Sequence, residues 1–300
     1  MHGYWSSREE KSRYVKITAM HLKKSFLCRS ILFVPATRPD RFQKAIASGA
    51  DMACMDLEDA VAPELKETAR QNIVNFFPPS GALSVLRALR INQLTSELGL
   101  RDMLLLLEQV SKPDIVLLPK VESAEEIAWF NNLTASVEQS IGILPLIETA
   151  KGLQNSMEIA SSKNVLAVAF GSADFSAEMG ADMGWESLLY ARGRILQAAA
   201  NANIDAIDGP HLDIEDTAGL LHEVQRVAAL GFSGKIALHP SQIAPIHRGF
   251  TPTEEALQRA RKIVQAFKEN PSGVVVVDGR MVDLPVVERA QKLVSLAERQ

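Results

Sequence analysis

The sequence predicts an α/β protein folded as a (β/α)8 TIM barrel, and three observations carry that expectation. Eight short, nearly continuous apolar runs recur along the chain. Amphipathic stretches of helical period lie between them. No Gly-rich phosphate fingerprint follows the first run, as it would in a dinucleotide-binding open sheet. The runs are Ile31–Pro35, Met52–Leu57, Val85–Arg90, Ile115–Pro119, Ile143–Ile147, Leu166–Phe170, Ile204–Asp208 and Ile236–His239. A strand buried on both faces reads in this way. Strands separated by helices pair parallel, because each crossover needs a helix. Eight such units close most economically into a barrel. A doubly wound open sheet is the alternative.

The helices have their own signals. Arg38–Gly49 is amphipathic and stops at Gly49, a C-cap residue. Ser123 and Glu126 form a capping box that opens a helix over Ser123–Asn131. Thr217–Leu230 ends just before Gly231. Thr251-Pro252 introduces a long helix over 253–268, with Pro near its first turn. The pattern then changes. Gly273–Val277 is a short apolar run, Asp278-Gly279 a turn, and a last helix runs from Pro285 to Arg299. This tail must pack on the barrel or on a neighbouring subunit. Residues 1–25 are polar and aperiodic, which reads as a disordered extension. The expected division is therefore 1–25 extension, 26–270 barrel, and 271–300 C-terminal lid segment and helix.

Composition narrows the function classes. The 300 residues are 47% hydrophobic, ample for a large core. A net charge of −4 leaves no basic face for nucleic acid. No run of about 18 apolar residues is present, so no membrane span is expected. Residues 1–25 lack the apolar region of a secretory signal. Two cysteines, Cys28 and Cys54, are too few for a disulfide scaffold and read as small buried apolar residues. They fit a reducing compartment, and the expected location is cytoplasmic.

In a barrel of this type the chemistry sits at the carboxyl ends of the strands. Strand two ends in Asp56-Leu57-Glu58-Asp59, strand three in Arg90-Ile91-Asn92, strand four in Pro119-Lys120 and strand five in Glu148-Thr149. Strand six runs into Gly171-Ser172-Ala173-Asp174, strand seven ends in Asp208 and strand eight in His239-Pro240. Glu148 and Asp174 are the natural metal pair, from adjacent strands 26 positions apart. Two carboxylates plus waters and substrate oxygens suit Mg2+, with Mn2+ as an alternative. Taken singly, Glu148 also suits a helix N-terminus and Asp174 an N-cap. Arg90 suits a carboxylate or an enolate oxygen, or a salt bridge to Glu58 or Asp59. Glu58 and Asp59 suit a supporting role, holding metal-bound waters and orienting Arg90. Lys120 is placed with them, and also suits an ion pair at the core rim.

Nine stretches in order resemble the citrate lyase β-subunit-like family of the HpcH/HpaI aldolase superfamily. They are Arg29–Pro35, Asp56–Ala62, Arg90–Asn92, Leu118–Ser123, Pro145–Ala150, Phe170–Phe175, Ala206–Asp208, Gly234–Pro240 and Met281–Pro285. The resemblance covers about residues 28–300. It implies a (β/α)8 barrel that binds Mg2+ and acyl-CoA and assembles as a homo-oligomer, usually a trimer. It makes Glu148 and Asp174 metal ligands, with Glu148 also facing substrate, and Arg90 the substrate-gripping arginine. It makes Asp283 a catalytic aspartate on the C-terminal segment, reaching a neighbouring subunit's site. Phe33, Lys44, Arg29 and the backbone groups of Ile236 and Ala237 fall at CoA-contact positions. Ala173 departs from relatives that carry an acidic residue there.

The reaction so implied is metal-dependent carbon–carbon cleavage of a 3-hydroxyacyl-CoA. Citramalyl-CoA, giving acetyl-CoA and the 2-keto acid pyruvate, is the leading substrate, from the Lys-Val-Glu-Ser and Met-Val-Asp-Leu-Pro signatures. A malyl-CoA lyase or thioesterase, a citryl-CoA lyase acting as a citrate lyase β subunit, and a non-catalytic CoA-binding subunit are the other readings.

Overall fold

The computed structural model describes residues 26, 28–74, 76–77, 85–109, 111–137, 140–270 and 273–298. The eight apolar runs are its eight strands: β1 (Ser30–Pro35), β2 (Met52–Asp56), β3 (Leu86–Arg90), β4 (Ile115–Leu118), β5 (Gly142–Ile147), β6 (Ala167–Phe170), β7 (Asp205–Asp208) and β8 (Gly234–Ala237). Each pairs in parallel with the next, and β1 pairs with β8 to close the barrel. Residues 1–25, read from sequence as an extension, lie outside the described residues.

The helices that follow the strands are α1 (Phe42–Ile46), α2 (Lys66–Val74), α3 (Glu97–Glu108), α4 (Ala124–Leu133), α5 (Ala150–Gln154), α6 (Ser156–Ala160), α7 (Ser172–Met179), α8 (Trp185–Ala202), α9 (Thr217–Leu230) and α10 (Ile243–Phe250). Their starts follow the local chemistry. Glu126 Oε1 accepts from the backbone N–H of Ser123 at 3.2 Å, closing the capping box at α4. Asp216 caps α9 by accepting from Gly219 N at 2.8 Å. Two expectations are corrected. The helix expected over 38–49 is a 3-10 turn, Pro39–Arg41, followed by the short α1. The eighth strand starts two residues early, at Gly234, and His239 caps the following 3-10 turn. An isolated lysine in the strand, Lys235, hid that start.

Strand side chains alternate between the two faces of the sheet. Ile31 with Phe33, Met52 with Cys54, Leu86 with Ala88, Ile115 with Leu117 and Leu144 with Leu146 all join one apolar cluster. These pairs are two apart, so they mark the inward face of the barrel. One step further along the same parity, at the carboxyl ends, come Asp56, Arg90, Glu148 and Gly171. The inward face thus changes from apolar to charged within two residues along each of β2, β3 and β5. At the opposite ends, Arg29 pairs with Asp51 and Arg87 with Asp114.

The contacts divide the chain between His247 and Arg248. The second unit contains α11 (Glu254–Glu269), an antiparallel hairpin of β9 (Val274–Val277) and β10 (Arg280–Asp283), and α12 (Leu284–Glu298). The sequence reading places the helix over 253–268 with the barrel. By contacts it belongs with the tail, because Ala260 and Ile263 pack with Val275, Val277, Val282, Val287 and Ala290. Asp278 and Gly279 both have positive φ, 48° and 74°, as a tight hairpin turn requires. Among the described residues no helix is long and apolar enough to cross a membrane.

Candidate functional site

Asp56 and Arg90 are register partners on β2 and β3, both facing inward. Arg90 Nε donates to Asp56 Oδ1 at 2.7 Å and Nη2 donates to Oδ2 at 2.6 Å. This planar two-point pair is a geometry that only arginine offers a carboxylate. Asp56 also accepts from the backbone N–H groups of Glu58 and Ala60, which pins the loop after β2. Arg90 Nη1 lies 2.8 Å from Glu58 Oε2 and 3.8 Å from Asp59 Oδ2. The Phe33 ring lies 4.8 Å from the guanidinium carbon and supports one of its faces. Burial pulls the Arg90 pKa down, but Asp56 and Glu58 outweigh burial and raise it. Arg90 is thus a fixed, permanently charged group with Nη1 turned toward the mouth.

Lys120 is the second cation. It has φ 49°, the left-handed region that non-glycine residues rarely adopt. In that conformation its backbone N–H donates to Glu148 Oε1 at 2.7 Å. Its Nζ donates to Glu58 Oε1 at 2.6 Å and lies 3.7 Å from both Asp59 Oδ1 and Asp174 Oδ1. Glu148 is 1% exposed. Burial, then the charges of Glu58 and Asp174, push its pKa up to about 8. Burial likewise raises Glu58. Gly171 makes room for Glu148: a Cβ at that position would overlap the Glu148 Cβ and Oε2.

This arrangement fits a hard divalent cation. Asp56, Glu58, Asp59, Glu148 and Asp174 converge on Arg90 and Lys120, so negative charge is in excess even with Lys66 counted. Glu58 Oε2 is buried 2.8 Å from Arg90 Nη1 without hydrogen-bond alignment, so its charge is paired but its acceptor capacity is not filled. Among the described residues no three His, Cys, Asp or Glu side chains are placed to hold a metal by themselves. Glu148 and Asp174 would supply two oxygen ligands and leave the remainder to water and substrate, as Mg2+ ordinarily prefers.

A rigid surround holds the mouth. Lys66 Nζ donates to the carbonyls of Leu57 (2.6 Å) and Glu58 (2.7 Å) and to Asn92 Oδ1 (2.7 Å). Asn92 in turn donates to Asp102 Oδ2 at 2.6 Å, and Arg70 Nε donates to Asp102 Oδ1 at 2.7 Å. Beside this network opens a cavity of about 440 Å3, lined by Glu58, Asp59, Lys66, Asn92, Ser96 and Lys120 among others. That volume is in the range of small-ligand sites.

The structure therefore brings together Phe33, Glu58, Asp59, Arg90, Lys120, Glu148 and Asp174. Ala237 closes β8, with Ile236 behind it in the core, and Lys44 is an exposed residue of α1. Arg29 is not brought to this mouth. It precedes β1, at the amino ends of the strands, and its guanidinium is held by Asp51 at 3.0 and 3.1 Å. Asp208 is also corrected. It has the outward parity, opposite to Ile207, and pairs with Lys235 at 2.7 Å and Arg192 at 2.9 Å behind the barrel wall. Asp283 closes β10 opposite Val274, in the C-terminal unit. Sequence reasoning missed the role of Asp56, the principal partner of Arg90. Counting in twos from Met52 and Cys54 would have found it. It also missed Lys66, whose helix position gave no sign of a buried ammonium.

The profile described as HpcH/HpaI aldolase/citrate lyase matches residues 29–240. The chain belongs to this family. It is 35% identical to mitochondrial citramalyl-CoA lyase of Homo sapiens over 289 residues, covering 90% of this chain and 85% of that protein. It is 33% identical to citrate lyase subunit beta of Escherichia coli strain K12 over 295 residues, covering 93% and 96%. Among solved structures, CitE of Mycobacterium tuberculosis in complex with magnesium, acetoacetate and coenzyme A is similar with a TM-score of 0.77 at 31% identity, covering 91% of this chain and 98% of that one.

Proposed function

We propose that this family member is a Mg2+-dependent carbon–carbon lyase that cleaves a 3-hydroxyacyl-CoA, with citramalyl-CoA as its leading substrate and acetyl-CoA and pyruvate as products. The observation that carries the reading is the inward convergence of Arg90, Lys120, Glu148 and Asp174 at adjacent strand ends. The relatives support the reaction class, since one of them is named citramalyl-CoA lyase.

Glu148 and Asp174 hold the divalent cation, which when bound supplies Lewis acidity toward the substrate's hydroxyl and carboxylate oxygens. Arg90 presents Nη1 to the thioester oxygen, where negative charge develops as the bond to the hydroxyl-bearing carbon breaks. Its bond pair to Asp56 keeps that nitrogen in place without reorganisation. The hydroxyl gives up its proton to solvent as its carbon becomes the carbonyl of the departing 2-keto acid, and one proton returns to the acetyl carbon, so the reaction consumes none overall. Asp283 delivers the proton that the acetyl fragment needs to become acetyl-CoA, and takes it back in the reverse direction. Phe33, Lys44 and the backbone of Ile236 and Ala237 contact the coenzyme.

Asp283 serves the barrel of a neighbouring copy in a homo-oligomer, a trimer by resemblance. In support, Val274, Val276 and Met281 form an exposed apolar face on the hairpin that carries Asp283. Cys28 and Cys54 are free and buried, which suits a reducing compartment, and the cytoplasm is proposed on that ground.

The test is turnover of purified protein with Mg2+ and citramalyl-, malyl- or citryl-CoA. Pyruvate and acetyl-CoA should appear together, with citramalyl-CoA giving the highest kcat/KM. The methyl that separates it from malyl-CoA is worth about 1–3 kcal/mol in a pocket, or roughly 10–200-fold. Free CoA without a keto acid would replace the lyase by a thioesterase. Absence of turnover with all three thioesters, together with retained CoA binding, would leave only the non-catalytic reading.

A further inference from the structure

Lys120 occupies a position that the proposed chemistry does not explain. Its backbone is strained, at φ 49°, in the left-handed region that a non-glycine residue adopts only at a cost. Strain of that kind persists when the surroundings demand it. Here it places two groups of one residue on two sides of the site. The N–H holds Glu148 Oε1 at 2.7 Å. The ammonium sits among Glu58, Asp59 and Asp174, at 2.6, 3.7 and 3.7 Å.

The two cations of the mouth differ in freedom. Arg90 is 8% exposed in its side chain and is locked by two bonds to a fully buried carboxylate. The Lys120 side chain is 28% exposed, and its close hydrogen bond is to Glu58 alone of the three acids around it. Its 3.7 Å approach to Asp174 is an ion pair through space, without hydrogen-bond geometry. A four-carbon stem lets such a head group move aside at small cost.

We infer that Lys120 is a built-in counter-ion for Asp174, which the incoming divalent cation must displace, so that Lys120 sets the metal affinity of the site. The inference rests on the reading of Glu148 and Asp174 as metal ligands. In the metal-free protein the ammonium neutralises the carboxylates and keeps them gathered. When the metal arrives, the ammonium gives up Asp174 and retains Glu58. Lys120 is then a positioning residue whose charge opposes the metal it helps to receive. Removal of a unit charge about 4 Å from the bound cation changes its affinity by about fivefold even with the screening of bulk water, and by more where the site is partly buried, so the effect is large enough to measure.

The test is titration of Mn2+ into metal-free protein, followed by calorimetry and by electron paramagnetic resonance of free Mn2+. Lys120→Met and Lys120→Gln should bind Mn2+ about tenfold or more tightly, with thermal melts showing that each is folded. Lys120→Arg keeps the charge and should bind within about threefold of wild type. Either neutral variant, if folded, suffices for the decision. Unchanged or weaker binding in the folded neutral variants overturns the inference, since a lysine that only braces Glu58 would yield that result. Tighter binding in Lys120→Arg equal to that in the neutral variants also overturns it, because charge would then not be the cause. Glu148→Gln and Asp174→Asn separate the two levels. If they bind Mn2+ as wild type does, the metal-ligand reading itself fails. If they lose it while the neutral Lys120 variants show no gain, the ligands stand and the counter-ion role falls.

Discussion

At the scale of single residues, the site is a set of charges held apart by buried bonds. Arg90 is the clearest case. Replacement by lysine keeps the charge and loses the two-point bond to Asp56, which is fully buried. Leaving such a carboxylate half-matched costs about 3–5 kcal/mol when a buried pair is broken outright, and less when a point charge remains. Arg90→Lys should lower kcat/KM by about 100-fold or more, in keeping with the loss of one preorganised donor, and should lower the melting temperature by several degrees. Near-normal kcat/KM with a lowered melting temperature would make Arg90 purely structural. Glu148 allows a prediction from its proton. Its folded pKa, about 8, is above the ordinary value of 4.5. Between those values the folded state binds more protons than the unfolded state, so stability falls as pH rises from about 4.5 to about 8. Metal-free protein melted across that range in a chelator should show the fall, and Glu148→Gln should flatten it. A divalent cation that binds at pH 7 must expel this proton. Calorimetry in buffers of different ionisation heat should therefore report release of about one proton per metal, and a proton count of zero would mean either that Glu148 is already ionised at pH 7 or that it lies outside the ligand set, which Mn2+ binding to Glu148→Gln decides.

At the scale of elements, backbone turns decide where the charges point. Gly171 lies between β6 and α7, on the inward parity. Its φ is ordinary, so space and not dihedral freedom makes glycine necessary there. Gly171→Ala should push the Glu148 carboxylate out of place. It should weaken Mn2+ binding by about tenfold or more while costing about 1–3 kcal/mol of stability, in the range for overpacked sites. Equal metal affinity in a folded Gly171→Ala protein would show that Glu148 has room to shift. Strand identity was legible in the sequence because buried parallel strands are continuous apolar runs, and every one of the eight was readable in that way. The errors came from charge inside strands. Lys235 masked the start of β8, and Asp208 read as a mouth residue although its parity turns it outward. The strand-end acids and Arg90 were legible as types. So was a salt bridge of Arg90 to Glu58 or Asp59, found at 2.8 and 3.8 Å; the two-point bond to Asp56 was not, because it needs the register of β2 against β3 in addition to inward parity.

At the scale of the whole molecule, the C-terminal unit raises the question of how many chains make one site. Asp283 stands beside an exposed apolar face of Val274, Val276 and Met281. If neighbouring copies complete each other's sites, two inactive variants can rescue one another. An equal mixture of Asp283→Ala and Glu148→Ala chains, allowed to exchange subunits, should regain activity in about a quarter of the sites of a ring in which each tail serves the next barrel. Verified mixed oligomers without recovered activity would mean that each chain completes its own site. Lys66 has a consequence of another kind. One ammonium holds the loop after β2 and, through Asn92, the loop after β3. Those loops are therefore inherited together or not at all. A chimera that imports residues 57–66 from a cousin without an anchoring lysine leaves the carbonyl of residue 58 and Asn92 Oδ1 without their shared donor, each a loss of about 1–3 kcal/mol. The loops after β7 and β8 are tied in a like way by a buried amide: Gln242 Nε2 donates to the His211 carbonyl at 2.9 Å, so that stretch of the rim also changes as a pair.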